Sequence, residues 1–217
     1  MAIDTVKICG LSTPEAVREA VKSGASHLGF IFFAKSPRIV TPAAAAALVA
    51  EAGNSKTVAV TVDADDAFLD DIDSTMEPDI HQLHGAETPD RVRAIQARFG
   101  KPVMKALAIR SQADLEKVAL YDGVADLLLL DAKPPAGSQL PGGNGVTFDW
   151  ALVAQMKTRT PILLSGGLGR INLPEAIEHV TDAANGLIGL DVSSGVESAP
   201  GVKDITKIRD FMALAHA

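Results

Sequence analysis

Short apolar runs of four to eight residues alternate along the chain with segments whose apolar positions recur every three or four residues. The runs fall at Val6–Gly10, His27–Phe32, Thr57–Asp63, Asp79–Gly85, Val103–Ala108, Asp126–Asp131, Pro161–Gly167 and Gly186–Val192. They are apolar on both faces, which suits parallel strands covered on both sides. Between them lie eight helical patterns. The first follows Thr13-Pro14-Glu15, a cap residue with proline at the first helical position, and stops at Gly24. The second, Ala43–Ala52, follows Thr41-Pro42 and is closed by Gly53. The others are Asp65–Thr75, Thr88–Arg98, Ser111–Leu120, Phe148–Lys157, Leu173–His179 and Lys203–Ala215.

Eight strand and helix pairs, with strands starting about every 26 residues, predict right-handed crossovers onto one parallel sheet. The expected fold is α/β, a closed (β/α)8 barrel occupying residues 1–217 as a single domain, somewhat shorter than the typical barrel. An open doubly wound sheet is the rival. It is disfavoured because no GxGxxG follows the first strand and no GxxxxGK[ST] occurs. Two connections are longer than the rest, Phe33–Val40 and Ala132–Val146, and the second holds four glycines and three prolines. Both follow the carboxyl end of a strand, which in a barrel is the catalytic face.

Composition narrows the classes. The chain has 217 residues, 47% of them hydrophobic, and 20 basic against 27 acidic groups give a net charge of −7. That balance argues against a nucleic-acid or anionic-membrane binder, and 4% aromatics argue against a stacking platform for single strands. No run is long and apolar enough to span a bilayer, and no signal-peptide pattern opens the sequence. One cysteine, Cys9, allows neither an intrachain disulfide nor a CxxC site and fits a cytoplasmic setting. There is no HExxH and no His pair at ligand spacing, so no metal and no other cofactor are expected. With no interface signal, a monomer is expected.

Reactive groups gather at the strand ends. Cys9 closes the first strand beside Lys7 and Gly10; it is either a small buried hydrophobe or a base or nucleophile. Asp131 emerges from Leu127–Leu130, and loss of solvation there favours the protonated form a general acid needs. The other reading is a loop-stabilising Asp, with Asp63 as a competing carboxylate. Gly166-Gly167 and Ser193-Ser194-Gly195 follow the last two strands, where barrels often bind phosphate, and a short helix from Ser193 would aim its amides at the anion. A phosphate held by amides needs no basic patch, so the acidic charge is no obstacle. Arg38 is either a carboxylate ligand or a solvated charge, and His84 sits at the rim. His27 lies on the opposite, stability face; His179 and His216 read as helix surface, Trp150 as a packing anchor and Asp65–Asp73 as a solvated helix face.

Taken in order, Lys7–Leu11, Gly29–Phe32 with Ser36-Pro37-Arg38, Gln82–Gly85, Gly142–Gly145 with Phe148-Asp149-Trp150, Ser165–Leu168 and Gly189–Glu197 resemble the phosphoribosylanthranilate isomerases over nearly the whole chain. The run DVSSGVE followed by Gly201-Val202-Lys203-Asp204 is the most specific. The resemblance implies an Amadori rearrangement of N-(5-phosphoribosyl)anthranilate to 1-(2-carboxyphenylamino)-1-deoxyribulose 5-phosphate in tryptophan biosynthesis. By the same resemblance Asp131 is the general acid, Cys9 the general base and Arg38 the anthranilate ligand. The phosphate falls between Gly166, Gly167, Asp191, Ser193 and Ser194, with His84, Gly143 and Gly145 completing the substrate site. Asn144 stands where Thr or Ser is usual, Ser165 where Ala is usual, and Gly169–Asn172 departs from the common turn. Two alternatives remain: another phosphosugar isomerase or epimerase barrel, expected to show two Asp residues or metal ligands, and a non-catalytic phosphate-ligand barrel, expected to lack the acid or the base.

Overall fold

The computed structural model describes residues 3–132, 142, 147, 150–156, 158–181 and 186–217. Eight strands close into a parallel barrel in sequence order: β1 (Thr5–Cys9), β2 (His27–Phe32), β3 (Lys56–Thr61), β4 (Ile80–Leu83), β5 (Val103–Ile109), β6 (Leu127–Ala132), β7 (Ile162–Leu164) and β8 (Leu187–Val192). β8 pairs with β1 through Thr5↔Gly189 to Ile8↔Val192, so no edge remains among the eight. Every predicted strand is present. The predicted runs extend one to three residues past the observed ends at Gly10, Asp63, Gly85 and Gly167, where the chain leaves the ladder for the loops of the catalytic face.

Alternation along each strand divides the core in two. Cys9, Val58, Val60, Ile80, Met104, Ala106, Leu129 and Leu163 fill the barrel interior. The intervening residues, among them Ile8, Phe30, Leu128 and Leu130, meet the surrounding helices. This is the period-two consequence of strands covered on both faces.

Seven α-helices surround the barrel among the described residues: α1 (Pro14–Lys22), α2 (Pro42–Val49), α3 (Asp66–Met76), α4 (Pro89–Phe99), α5 (Gln112–Tyr121), α6 (Leu173–Thr181) and α7 (Ile205–Ala215). The caps read from sequence operate: Thr13 and Thr41 accept from Ala16 N and Ala44 N, each ahead of a proline. The segment expected as a helix at Phe148–Lys157 is a 3-10 helix over Trp150–Gln155. Trp150 is buried there and meets the His179 ring edge-on at 6.4 Å, so His179 is half-buried rather than a surface group. The last helix starts at Ile205, not Lys203. Two short strands, β9 (Glu197–Ala199) and β10 (Val202–Lys203), form a hairpin before it, and Asp204 caps α7. A large part of the long Ala132–Val146 connection, with Gly143, Asn144 and Gly145, lies outside the described residues.

Candidate active site

The carboxyl ends of the strands open into one pocket of about 680 Å³, its mouth included. Around its rim come Cys9 from β1, Ser36 and Arg38 from the β2 loop, Gln82 and His84 from β4, Asp131 from β6, Ser165 to Leu168 after β7, and Asp191, Ser193 and Ser194 from β8. Sequence reasoning therefore brings its described candidates to a single place. Ile31, Val60 and Val62 supply an apolar wall on one side.

Cys9 and Asp131 stand apart on the ring, with β7, β8 and their loops between them. Asp131 is the inward residue after Leu127 and Leu129 on β6 and is buried. One carboxylate oxygen accepts from Ala132 N at 2.8 Å; the other lies 3.5 Å from His84 Nε2. The His84 Nδ1 meets Gln82 Nε2 at 3.3 Å, so β4 orients the ring toward the acid. Gly142 packs on this pair, since a β-carbon there would overlap the Asp131 carboxylate and the His84 ring. The competing carboxylate, Asp63, accepts from Ala86 N at 2.7 Å and braces the loop after β4.

Cys9 is buried, and burial pushes its thiol up; the ammonium of Lys7 draws it back down, and the Asp191 carboxylate opposes that. Lys7 is wholly buried and bonds Asp191 Oδ1 at 2.7 Å. Burial alone lowers a lysine, yet Asp191 and Cys9 together hold Lys7 above its ordinary value. The second Asp191 oxygen accepts from Ser165 Oγ at 2.9 Å. Asp191 thus turns its charge toward Lys7 and Ser165. An anion entering this quarter would meet its neutral groups, because a carboxylate repels it.

Gly166 and Gly167 take φ of +88° and +63°, a left-handed turn closed to most side chains, and a β-carbon on Gly166 would lie 2.6 Å from Ala132 N. Across from them, the expected short helix is a single 3-10 turn, Ser194–Val196. A turn of three residues offers amides but no helix dipole of consequence, so the cradle rests on backbone N–H groups and the Ser193 and Ser194 hydroxyls. Ser193 Oγ donates to Cys9 O at 3.1 Å, tying this turn to the strand that carries the thiol.

Arg38 is 4% exposed, not a solvated charge. Its Nε and Nη2 grip the two oxygens of Glu197 at 2.7 and 2.9 Å. Glu197 also accepts from Lys203 Nζ at 2.8 Å and from Gly201 N at 3.2 Å. The neighbouring cations hold the Glu197 carboxyl below its usual range despite burial. Sequence reasoning alone does not mark Glu197 and Lys203 as site residues: Glu197 closes the DVSSGVE run, Lys203 lies in the Gly201–Asp204 stretch that follows it, and that motif is the signal for both.

The family model for N-(5'phosphoribosyl)anthranilate (PRA) isomerase matches residues 6–213. The chain belongs to the phosphoribosylanthranilate isomerase family. It is 56% identical to the N-(5'-phosphoribosyl)anthranilate isomerase of Brucella canis over 219 residues, covering 100% of this chain and 96% of that one. Among solved structures, the phosphoribosyl anthranilate isomerase of Thermotoga maritima superposes with a TM-score of 0.85 at 34% identity, over 97% of this chain and 98% of that one. A phosphoribosyl anthranilate isomerase in complex with reduced 1-(o-carboxyphenylamino)-1-deoxyribulose 5-phosphate gives 0.82 at 32% identity, over 97% of both chains. The family consists of isomerases that convert an aminoaldose to an aminoketose in tryptophan biosynthesis.

Proposed function

We propose that this chain converts N-(5-phosphoribosyl)anthranilate to 1-(2-carboxyphenylamino)-1-deoxyribulose 5-phosphate, with Asp131 as general acid and Cys9 as general base. The supporting observation is the placement of a thiol and a carboxylate at two separate strand ends of one pocket, with the Gly166-Gly167 and Ser193-Ser194 turns between them. Asp131 gives its proton to the ring oxygen, the bond from that oxygen to C1 breaks, and the nitrogen lone pair forms the Schiff base. The Cys9 thiolate then takes the C2 proton. The electron pair left behind becomes the C1=C2 bond as the C1=N pair returns to nitrogen, giving an enolamine that tautomerises to the ketone.

The two turns flank the phosphate, Arg38 faces the anthranilate carboxylate, and His84 steadies the acid. Gly143 and Gly145 belong to the same binding role by resemblance and lie outside the described residues. The chemistry asks only for one acid and one base, and with no interface signal in the sequence a monomer is the state proposed. The unpaired Cys9 thiol supports a cytoplasmic setting. The test is direct: freshly prepared phosphoribosylanthranilate is supplied beside the aminoaldose of the histidine route. Turnover of the first supports the reading; turnover of only the second sinks it.

A further inference from the structure

The proposed reaction depends on Cys9 losing its proton inside an apolar wall, and the strand pairing places a cation where it bears on that step. Lys7 and Cys9 are two residues apart on β1, so both side chains enter the barrel. Opposite Cys9 on β2 stands Gly29. The room left by its missing side chain is filled by both groups: a β-carbon there would lie 3.0 Å from Cys9 Sγ and 3.0 Å from Lys7 Nζ. The sulfur and the ammonium are therefore close neighbours across the Gly29 position. Beyond Lys7, Asp191 holds the ammonium from β8 and Ser165 holds Asp191 from β7.

We propose that Lys7 is a positioning residue of the reaction, its ammonium oriented by Asp191 and Ser165 so that loss of the proton from the Cys9 sulfur is eased against the burial that opposes it. This rests on the reading of Cys9 as base. The groups facing the sulfur are Lys7 on its own strand, Asp191 on β8, Lys203 on β10 and Arg38 from the β2 loop, whose side chain packs over Gly10. Lys7 and Lys203 favour the thiolate, while burial and Asp191 oppose it. At the sulfur the effect of Lys7 outweighs that of Asp191. An ammonium this close shifts a partly buried acid by about one pKa unit or more, a change of about tenfold in thiolate. Gly29 is the complement of this arrangement, since any side chain there would push the two groups apart.

Cys9 is the only cysteine in the sequence, so the rate of alkylation by iodoacetamide against pH reads this thiol alone, without substrate. In Lys7→Met the alkylation midpoint is expected to rise by about one unit, kcat to fall about tenfold at neutral pH and recover as pH rises, and KM to change little. Lys7→Arg keeps the charge and should keep the parent midpoint more nearly than Lys7→Met. Where Lys7→Met does not fold because Asp191 is left unpaired, Lys7→Met with Asp191→Asn leaves no buried charge and should shift the midpoint the same way by less. A midpoint at or below that of the parent in either folded variant overturns the proposal, as does a raised midpoint with an unchanged kcat profile. Failure of the base assignment is seen separately, as turnover retained by Cys9→Ser.

Discussion

Glu197 is the hub of a buried charge cluster, and Glu197→Gln probes it with almost no change of volume. The carboxylate takes four hydrogen bonds: Arg38 Nε at 2.7 Å, Arg38 Nη2 at 2.9 Å, Lys203 Nζ at 2.8 Å and Gly201 N at 3.2 Å. Arg38, Lys203 and Glu197 are almost completely excluded from water at their side chains. The substitution removes the one negative charge that two buried cations share and turns one acceptor into a donor aimed at other donors. Breaking a buried pair from one side costs about 3–5 kcal/mol, since the partner charges stay desolvated and unpaired. For a chain of this size that is roughly a 10 °C fall in Tm. Function should move with it: the stem of Arg38 lies over Gly10, next to Cys9, and under the proposed reading a relaxed guanidinium no longer meets the anthranilate carboxylate in one place. Urea unfolding and steady-state kinetics together provide the assay. A destabilisation under about 1 kcal/mol with KM unchanged would refute the reasoning, because it would make the cluster an ordinary screened surface pair.

Three further outcomes are expected. Asp131→Asn should leave the fold intact and cut kcat by about 10²–10⁴, and a loss below tenfold in steady-state assays counts against its role as the acid. Gly166→Ala forces a β-carbon into a left-handed backbone 2.6 Å from Ala132 N, so KM for the phosphorylated substrate should rise about tenfold or more; an unchanged KM removes this turn from the phosphate site. Burial, helped by Lys7, lowers His27 from 6.5 to about 4. The unfolded chain therefore binds more protons between those values, and stability present above pH 6.5 is lost as pH falls toward 4, by up to about 3 kcal/mol. His27→Asn should flatten that part of a urea-monitored pH profile, and an equally steep profile in the variant would exclude His27 as its source.

The barrel was legible in the chain because each strand is a compact apolar run and the helices between them are marked by caps such as Thr13-Pro14 and Thr41-Pro42. The strand ends then placed Cys9, Arg38, His84, Asp131 and the Gly166-Gly167 and Ser193-Ser194 turns on one face without any knowledge of distances. What the chain concealed is pairing across its length. Lys7 and Asp191 are 184 positions apart and Arg38 and Glu197 are 159 apart, and only closure of β8 onto β1 brings them together. Arg38 for that reason reads as either a carboxylate ligand or a solvated charge until its partner is seen. The helix expected at Phe148–Lys157 tightens to a 3-10 turn, and the hairpin of β9 and β10 delays the last helix, because tertiary contacts of Trp150 and Lys203 override local propensity.

Removal of the C2 proton by the Cys9 thiolate is tested directly by one measurement. Turnover of phosphoribosylanthranilate by Cys9→Ala is compared with the parent, with product binding measured on the same samples as the control for an intact site. Turnover should be abolished while the product still binds with near-parental affinity. Near-normal turnover by Cys9→Ala would contradict it, and the proton would then have to be taken by another group at the rim.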